Sequence, residues 1–395
     1  MDDLNRINTF VDKLAPELRK LALDIHDNPE VGGEEFKAMN WQKELLEKYG
    51  FEVETGYSGI PTSYRAVYKG KKGGPKFAML AEYDALPELG HGCGHNLIAM
   101  ISVGSGISIK QFADEYGCEI DVIGTPAEET EGAKVEMAKK GAFKGYDAIM
   151  MAHPAYQALD SMNTAAMAAV QYEFFGKPAH AAAAPESGIN ALDAMICFYN
   201  NVNALRQQTK DDARIHGIIT NGGTAANVIP DYTSAKFYIR SNRNADVLSL
   251  KERVNKCAEG AALATGCTYK VTPVEADFKD TVSNMRLSSL VCDKIELLGT
   301  PVTRLNGLRI PGSSDLGDVS YECPAIQVTV KIGDHPEAKM MEGPHTPAFA
   351  EDAGSEEAIS EGIKYVKAFT LSAIDMMTKP EIISEIKEEF SKITE

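Results

Sequence analysis

The hydrophobic period of this chain changes twice, and that double change constrains its fold more than any other feature. Short, nearly continuous apolar runs at 77–81, 120–124 and 148–152 are separated by helix-like stretches, the pattern of parallel strands buried on both faces. From about 166 to 283 the period becomes two. Val170, Tyr172 and Phe174 alternate with Gln171 and Glu173, and Ala235, Phe237 and Ile239 alternate with Lys236, Tyr238 and Arg240, as in strands half-buried on one face of a sheet. With helical stretches at 189–208 and 245–264 and strands at 214–220 and 267–272, the order is β-α-β-β-α-β, a small ferredoxin-like module. The first pattern then returns in an apolar strand at 326–332 and an amphipathic helix through Ile359, Ile363, Val366, Phe369 and Ile374. The chain therefore reads as one α/β domain with a mixed, largely parallel sheet, formed by 1–165 and 284–395 and interrupted by an α+β insert at 166–283. At the N-terminus, Ile7, Phe10, Val11, Leu14, Leu18, Leu21 and Ile25 have helical spacing, and Pro16 is expected to start a second helix.

A chain of 395 residues exceeds one average core, which agrees with this division. A formal net charge of −17 and the absence of a basic stripe argue against a nucleic-acid partner. No run approaches the roughly 18 apolar residues that span a bilayer, and the N-terminus has no basic start followed by an apolar core, so a cytoplasmic protein without a membrane partner is expected. The seven cysteines are scattered and lack CxxC spacing, which fits reduced thiols.

In an open parallel sheet, ligands sit beyond the carboxyl ends of the strands. The residues that follow the apolar runs are Glu82-Tyr83-Asp84, then Thr125-Pro126-Ala127-Glu128-Glu129, then His153-Pro154. The stretch Gly90-His91-Gly92-Cys93-Gly94-His95-Asn96 falls in the loop after the first of them and opens a helix expected from Asn96. Each residue alone has an ordinary reading as a buried thiol, a structural imidazole or a solvated helix start. Together, thiolate, imidazole and carboxylate form the set that suits Zn²⁺ or Mn²⁺, with room for two ions about 3.5–4 Å apart. Adjacent glutamates allow one to bind metal while its neighbour takes a proton from water.

The stretches "IHDNPEVGGEEF", "EYDALPELGHGCGHN", "GTPAEET", "AHP", "GKPAHAAAAPESGINALDA", "NVIPDYTSAKFYIRS" and "GPHTPAF" resemble, in order and over about the whole chain, the signatures of peptidase family M20. The similarity is greatest to its amidohydrolase branch, in the group of aminobenzoyl-glutamate hydrolases and related mammalian dipeptidases. That resemblance implies a zinc-peptidase-like catalytic domain with two divalent ions, Zn²⁺ or Mn²⁺, and an insert that serves as lid and dimer interface. It implies Cys93, His95, Glu129, His153 and His345 as metal ligands, Glu128 as general base and Asp84 as the aspartate that orients the site. It implies His180 as the lid histidine that reaches the other subunit's active site and steadies the oxyanion, and Asn227 and Arg240 as holders of the substrate carboxylate. The turn Gly312-Ser313-Ser314-Asp315 resembles the family's pocket loop, with Ser314 as a candidate substrate contact and a turn role equally open.

The sequence departs from the broader family at Glu82, where His-x-Asp is usual, and at Asn96, where the branch commonly has Asp. Glu82 is thereby placed near the metals as ligand or neighbour, and His91 is given a structural role, as is His26. The expected activity is hydrolysis of an amide bond in a small peptide or N-acyl amino acid by a homodimer or a larger assembly. Two rivals belong to other classes. One is a catalytically silent binding protein on the same fold, which would not need Glu128. The other is a thiol hydrolase using Cys93 and His95, against which stands the absence of an orienting acid after His95.

Overall fold

A computed structural model describes residues 3–335 and 343–394, the side chains of 393 and 394 excepted. In chain order the elements are α1 (Asp3–His26), α2 (Phe36–Lys48), β1 (Glu52–Thr55), β2 (Tyr64–Lys69), β3 (Lys76–Ala81), α3 (His95–Phe112), β4 (Glu119–Gly124), α4 (Ala133–Lys139) and β5 (Ala148–Ala155). Then come β6 (Ala166–Phe175), α5 (Ala191–Leu205), β7 (Arg214–Asn221), β8 (Tyr232–Ser241), α6 (Asn244–Thr265) and β9 (Thr268–Pro273). The chain closes with α7 (Met285–Leu297), α8 (Leu316–Ser320), β10 (Ala325–Lys331), α9 (Pro347–Ala353), α10 (Glu356–Thr378) and α11 (Pro380–Thr394). The backbone divides into two compact units, one of residues 1–163, 281–310 and 318–395, the other of 164–280 with the turn 311–317.

The first unit holds a six-stranded sheet in the order β1-β2-β4-β3-β5-β10. Pairs β3/β4, β3/β5 and β5/β10 are parallel, whereas β1/β2 and β2/β4 are antiparallel. The three apolar runs are thus central neighbours, and their carboxyl ends share one edge. Helix α3 is buried along nearly its whole length, with α1 and α10 packed on it. A Cβ added at Gly104 of α3 would lie 2.7 Å from Leu18 Cδ1 of α1, so a hydrogen there is what lets these helices approach.

Helix α1 runs unbroken through Pro16, contrary to the expected restart. Proline removes the bond to the Asp12 carbonyl and crowds that carbonyl, at about 3 kcal/mol; both residues face solvent, where water takes the freed carbonyl, and the buried face of Val11, Leu14 and Leu18 offsets the rest.

The second unit is a four-stranded antiparallel sheet in the order β7-β8-β6-β9. Helices α5 and α6 cover one face, and the alternating side chains Val170, Tyr172, Phe174, Phe237 and Ile239 form its core with Phe198 and Val254. Burial of each such side chain contributes about 1.5–3 kcal/mol, enough to fix which face points inward. Strand β7 is an edge with Ile218 and Ile219 exposed.

Candidate metal centre

At the shared carboxyl edge of β3, β4 and β5 the chain turns sharply and sets down its acid, thiol and imidazole groups. Gly94 has φ +75°, and a Cβ there would lie 2.7 Å from Pro154 Cγ, so Cys93 and His95 are presented by a turn that favours glycine. His95 is the first residue of α3, one position before the expected start. His153 lies within β5, two residues before its carboxyl end, rather than after it. His345, just before α9, has φ +67° and donates its N–H to the Gly92 carbonyl at 2.8 Å, which ties the late loop to the Cys93 turn.

The histidine tautomers follow from their partners. His95 Nδ1 donates to Asp84 Oδ1 at 2.9 Å and His153 Nδ1 to the Pro154 carbonyl at 2.8 Å, so in its neutral, ligating form each ring presents an Nε2 lone pair. His153 Nε2 is 3.5 Å from Cys93 Sγ, and His345 Nε2 is 3.2 Å from Glu129 Oε1. Cys93, His95 and His153 offer donor atoms all within 4.8 Å of one another, as do Cys93, Glu129 and His345, and again His95, Glu128 and Glu129. Cys93 is common to the first two sets. His95 Nε2 is buried without a hydrogen-bond partner among the described residues, which a divalent ion would satisfy. The donor set therefore fits two borderline-soft divalent ions.

Asp84 organises this cluster. Its second oxygen accepts the Glu129 backbone N–H at 2.9 Å, so one carboxylate aims both an imidazole and the Glu129 peptide. Burial opposes its charge, but His95 and the Glu129 amide hold it below the ordinary carboxylate range. Burial likewise opposes charge on His95, and Asp84 and Cys93 outweigh it and raise the proton affinity of the ring. A site that attracts a proton this strongly attracts a divalent cation by the same charges. Burial lowers His153, which favours its neutral, ligating form. Burial pushes the Cys93 thiol upward, the reverse of an activated nucleophile, although Asp84 does supply the orienting acid that the sequence after His95 lacks. The thiol's ionisation, not a missing acid, is thus what weighs against the thiol-hydrolase reading.

Two residues near this edge escaped the sequence reading. Glu35 precedes α2 and looks like a solvated helix start, yet it is fully buried and its Oε1 accepts the Ala127 N–H at 2.7 Å. Ala127 has φ +56°, a conformation costing on the order of 1–2 kcal/mol for a residue with a side chain, and it immediately precedes Glu128. Lys134, in α4, is fully buried as well. No local signal separates either from an ordinary surface charge.

Burial pushes the Glu35 carboxyl from 4.5 to about 7. A raised acid contributes stability below its unfolded value and loses it as pH rises through its folded value. In metal-free protein, Glu35→Gln is accordingly expected to gain about 3 kcal/mol relative to wild type between pH 4.5 and pH 8. Urea denaturation of both proteins across that range checks this, and a gap independent of pH contradicts it.

His180, Asn227, Arg240 and Ser314 lie in the second unit. His180 and Asn227 are exposed on adjoining loops, where the Ala181 N–H meets the Asn227 carbonyl at 3.0 Å and His180 bridges Val228. Arg240 Nη1 donates to Ser313 Oγ at 2.9 Å. Ser314 is buried and its hydroxyl accepts the Leu316 N–H at 3.3 Å, so the serine that meets the arginine is Ser313, while Ser314 closes the turn. His26 and His91 stack with ring centroids 6.3 Å apart, and their Nε2 atoms meet the carbonyls of Ala350 and Ile25. Burial holds His91 down to about 3, a packed, neutral ring.

Comparison with known proteins adds independent findings. The family model described as a peptidase dimerisation domain, of the M20 group, matches residues 164–265. The Xaa-Arg dipeptidase of Mus musculus is 34% identical over 397 residues, covering 96% of this chain and 90% of that protein. A p-aminobenzoyl-glutamate hydrolase chain of Escherichia coli (strain K12) is 33% identical over 306 residues, covering 71% of this chain and 62% of that protein. A Bacillus subtilis crystal structure described as a dinuclear metal binding peptidase from the M20 family superposes with a TM-score of 0.67 at 19% identity, covering 91% of this chain and 98% of that one.

Proposed function

Because the chain belongs to peptidase family M20, we propose that it hydrolyses the amide bond of a dipeptide or an N-acyl amino acid at a centre of two divalent ions, Zn²⁺ or Mn²⁺. The observation that carries this reading is Cys93, shared by two donor sets with Glu128 beside them. Cys93, His95, Glu129, His153 and His345 hold the ions. When bound, such ions polarise a carbonyl and lower the pKa of water.

Glu128 takes the proton of the attacking water and returns it to the leaving amine. Asp84 keeps His95 and Glu129 aimed. His180 of the partner subunit donates to the developing oxyanion. Substrates of the Xaa-Arg and aminobenzoyl-glutamate kinds both end in a free carboxylate, for which Arg240, with Asn227, supplies a charged fork. The exposed Ile218 and Ile219 on the edge strand β7 support a homodimer through the second unit. All seven cysteines are free thiols and, among the described residues, no helix is long and apolar enough to cross a membrane; the free thiols support a reducing, cytoplasmic setting.

Chelation separates this reading from its rivals. EDTA should abolish hydrolysis across a panel of dipeptides and N-acyl amino acids, and added Zn²⁺ or Mn²⁺ should restore it. Activity that survives chelation points to a thiol enzyme, and no activity under any metal to a binding protein. Cys93→Ser should weaken metal binding, and iodoacetamide should label Cys93 slowly in the metal-loaded protein, because a coordinated thiolate is shielded. Rapid labelling of loaded protein removes Cys93 from the ligand set.

A further inference from the structure

Two buried charges beside the proposed centre have no part in the chemistry above. Glu82 follows β3 directly, Lys134 lies in α4, and both side chains are buried, with Lys134 Nζ 2.7 Å from Glu82 Oε1. Desolvation of such a pair is costly, and replacement by well-packed apolar residues is often neutral or stabilising. Stability alone is therefore a poor reason for it.

The other oxygen supplies a better one. Glu82 Oε2 is 3.4 Å from His95 Nε2, and neither atom has a hydrogen-bond partner among the described residues. The opposite nitrogen of His95 is committed to Asp84, so two lone pairs face each other in a buried place. That arrangement is repulsive unless a proton or a metal cation lies between them, and a metal ion takes the place of the proton when it binds. Two ligands bound at about 2.1 Å to a tetrahedral ion are about 3.4 Å apart, which matches the observed separation.

Resting on the metal reading above, we propose that Glu82 is a further ligand of the ion held by His95, bound through Oε2, and that Lys134 is a positioning residue that fixes Glu82 through Oε1. Lys134 also compensates the carboxylate in the metal-free protein. The two residues therefore act on the ion with opposite sign. Glu82→Gln removes a ligand and leaves an ammonium facing the cation. Lys134→Met leaves the carboxylate in place, uncompensated until the ion arrives.

Calorimetric titration of metal-free protein with Zn²⁺ alone, together with thermal melts with and without Zn²⁺, tests this. For Glu82→Gln, one of two Zn²⁺ sites is expected to weaken by more than the roughly 10–100-fold that loss of a partner outside the ligand set costs. Lys134→Met is expected to bind Zn²⁺ at least as tightly as wild type, with a lower Tm when metal-free and a larger rise on adding Zn²⁺. The double variant should regain much of the metal-free Tm while keeping the weakened site. Wild-type affinity at both sites of Glu82→Gln overturns the proposal, and so does equal weakening by both single variants, which would make the pair mere scaffolding. If Lys134→Met does not fold, the Glu82→Gln titration decides alone. A wild-type protein that takes up no Zn²⁺ fails the metal reading itself, a result distinct from either.

Discussion

Glu128→Gln is expected to lower kcat by about 10²–10⁴-fold, the range for loss of one general base, while metal content stays at the wild-type level. The amide keeps the shape of the carboxylate and cannot accept a proton from water. Glu129 differs from its neighbour in what surrounds it. Its Oε1 is 3.2 Å from His345 Nε2 and 4.0 Å from His95 Nε2, and its N–H is tied to Asp84. Burial opposes its charge, but His345 and His95 prevail and hold the carboxylate below its ordinary range. That is the environment of a ligand, so Glu129→Gln is expected to lose metal. Elemental analysis beside steady-state kinetics separates the two. Metal loss in Glu128→Gln, or full occupancy in Glu129→Gln, would reverse the division of labour between adjacent side chains.

That division depends on a turn only partly legible in the sequence. Apolar runs at 77–81, 120–124 and 148–152 are visible because burial on both faces leaves no polar alternation, and their parallel pairing brings their carboxyl ends together. The alternation of Val170, Tyr172 and Phe174 was equally readable because one face of that sheet is covered by α5 and α6. By contrast, β1 and β2 form an antiparallel edge of short strands with mixed burial, and their sequences carry neither pattern. Local reasoning also misread Pro16, since a helix tolerates a lost bond where water can replace it.

The residues that the structure brings together at the candidate site are in part those whose type alone announces chemistry, Cys93, His95 and the Glu128-Glu129 pair. Residue type gives no sign where an ordinary residue is made unusual by burial. Glu35 resembles a surface acid at a helix start, and only the fold delivers its carboxylate to Ala127. Lys134 resembles any helix lysine, and only the fold buries it against Glu82. The acid that orients His95 stands eleven positions before it, and the loop between them, ending in the Gly94 turn, returns the ring to Asp84.

His180→Ala homodimers are expected to lose about 10²–10³-fold in kcat, the cost of one oxyanion donor. The local geometry suits the ring to that task. Its Nδ1 accepts the N–H groups of Ala182 and Ala183 at 3.3 and 3.2 Å, so in the neutral ring the proton resides on Nε2, which is a donor. If His180 serves the other subunit, a dimer with one His180→Ala chain and one Glu128→Gln chain has one complete site. That site combines the native Glu128 of the first chain with the native His180 of the second, while the other site lacks both. Each mixed dimer should then work at about half the wild-type rate, and equal mixing, which yields about half mixed dimers, should restore about a quarter of the bulk rate. Both parents alone stay nearly inactive, so the recovered rate has no other source. With subunit exchange verified by differently tagged chains, an absence of recovery would place His180 in its own chain's site or outside the reaction altogether.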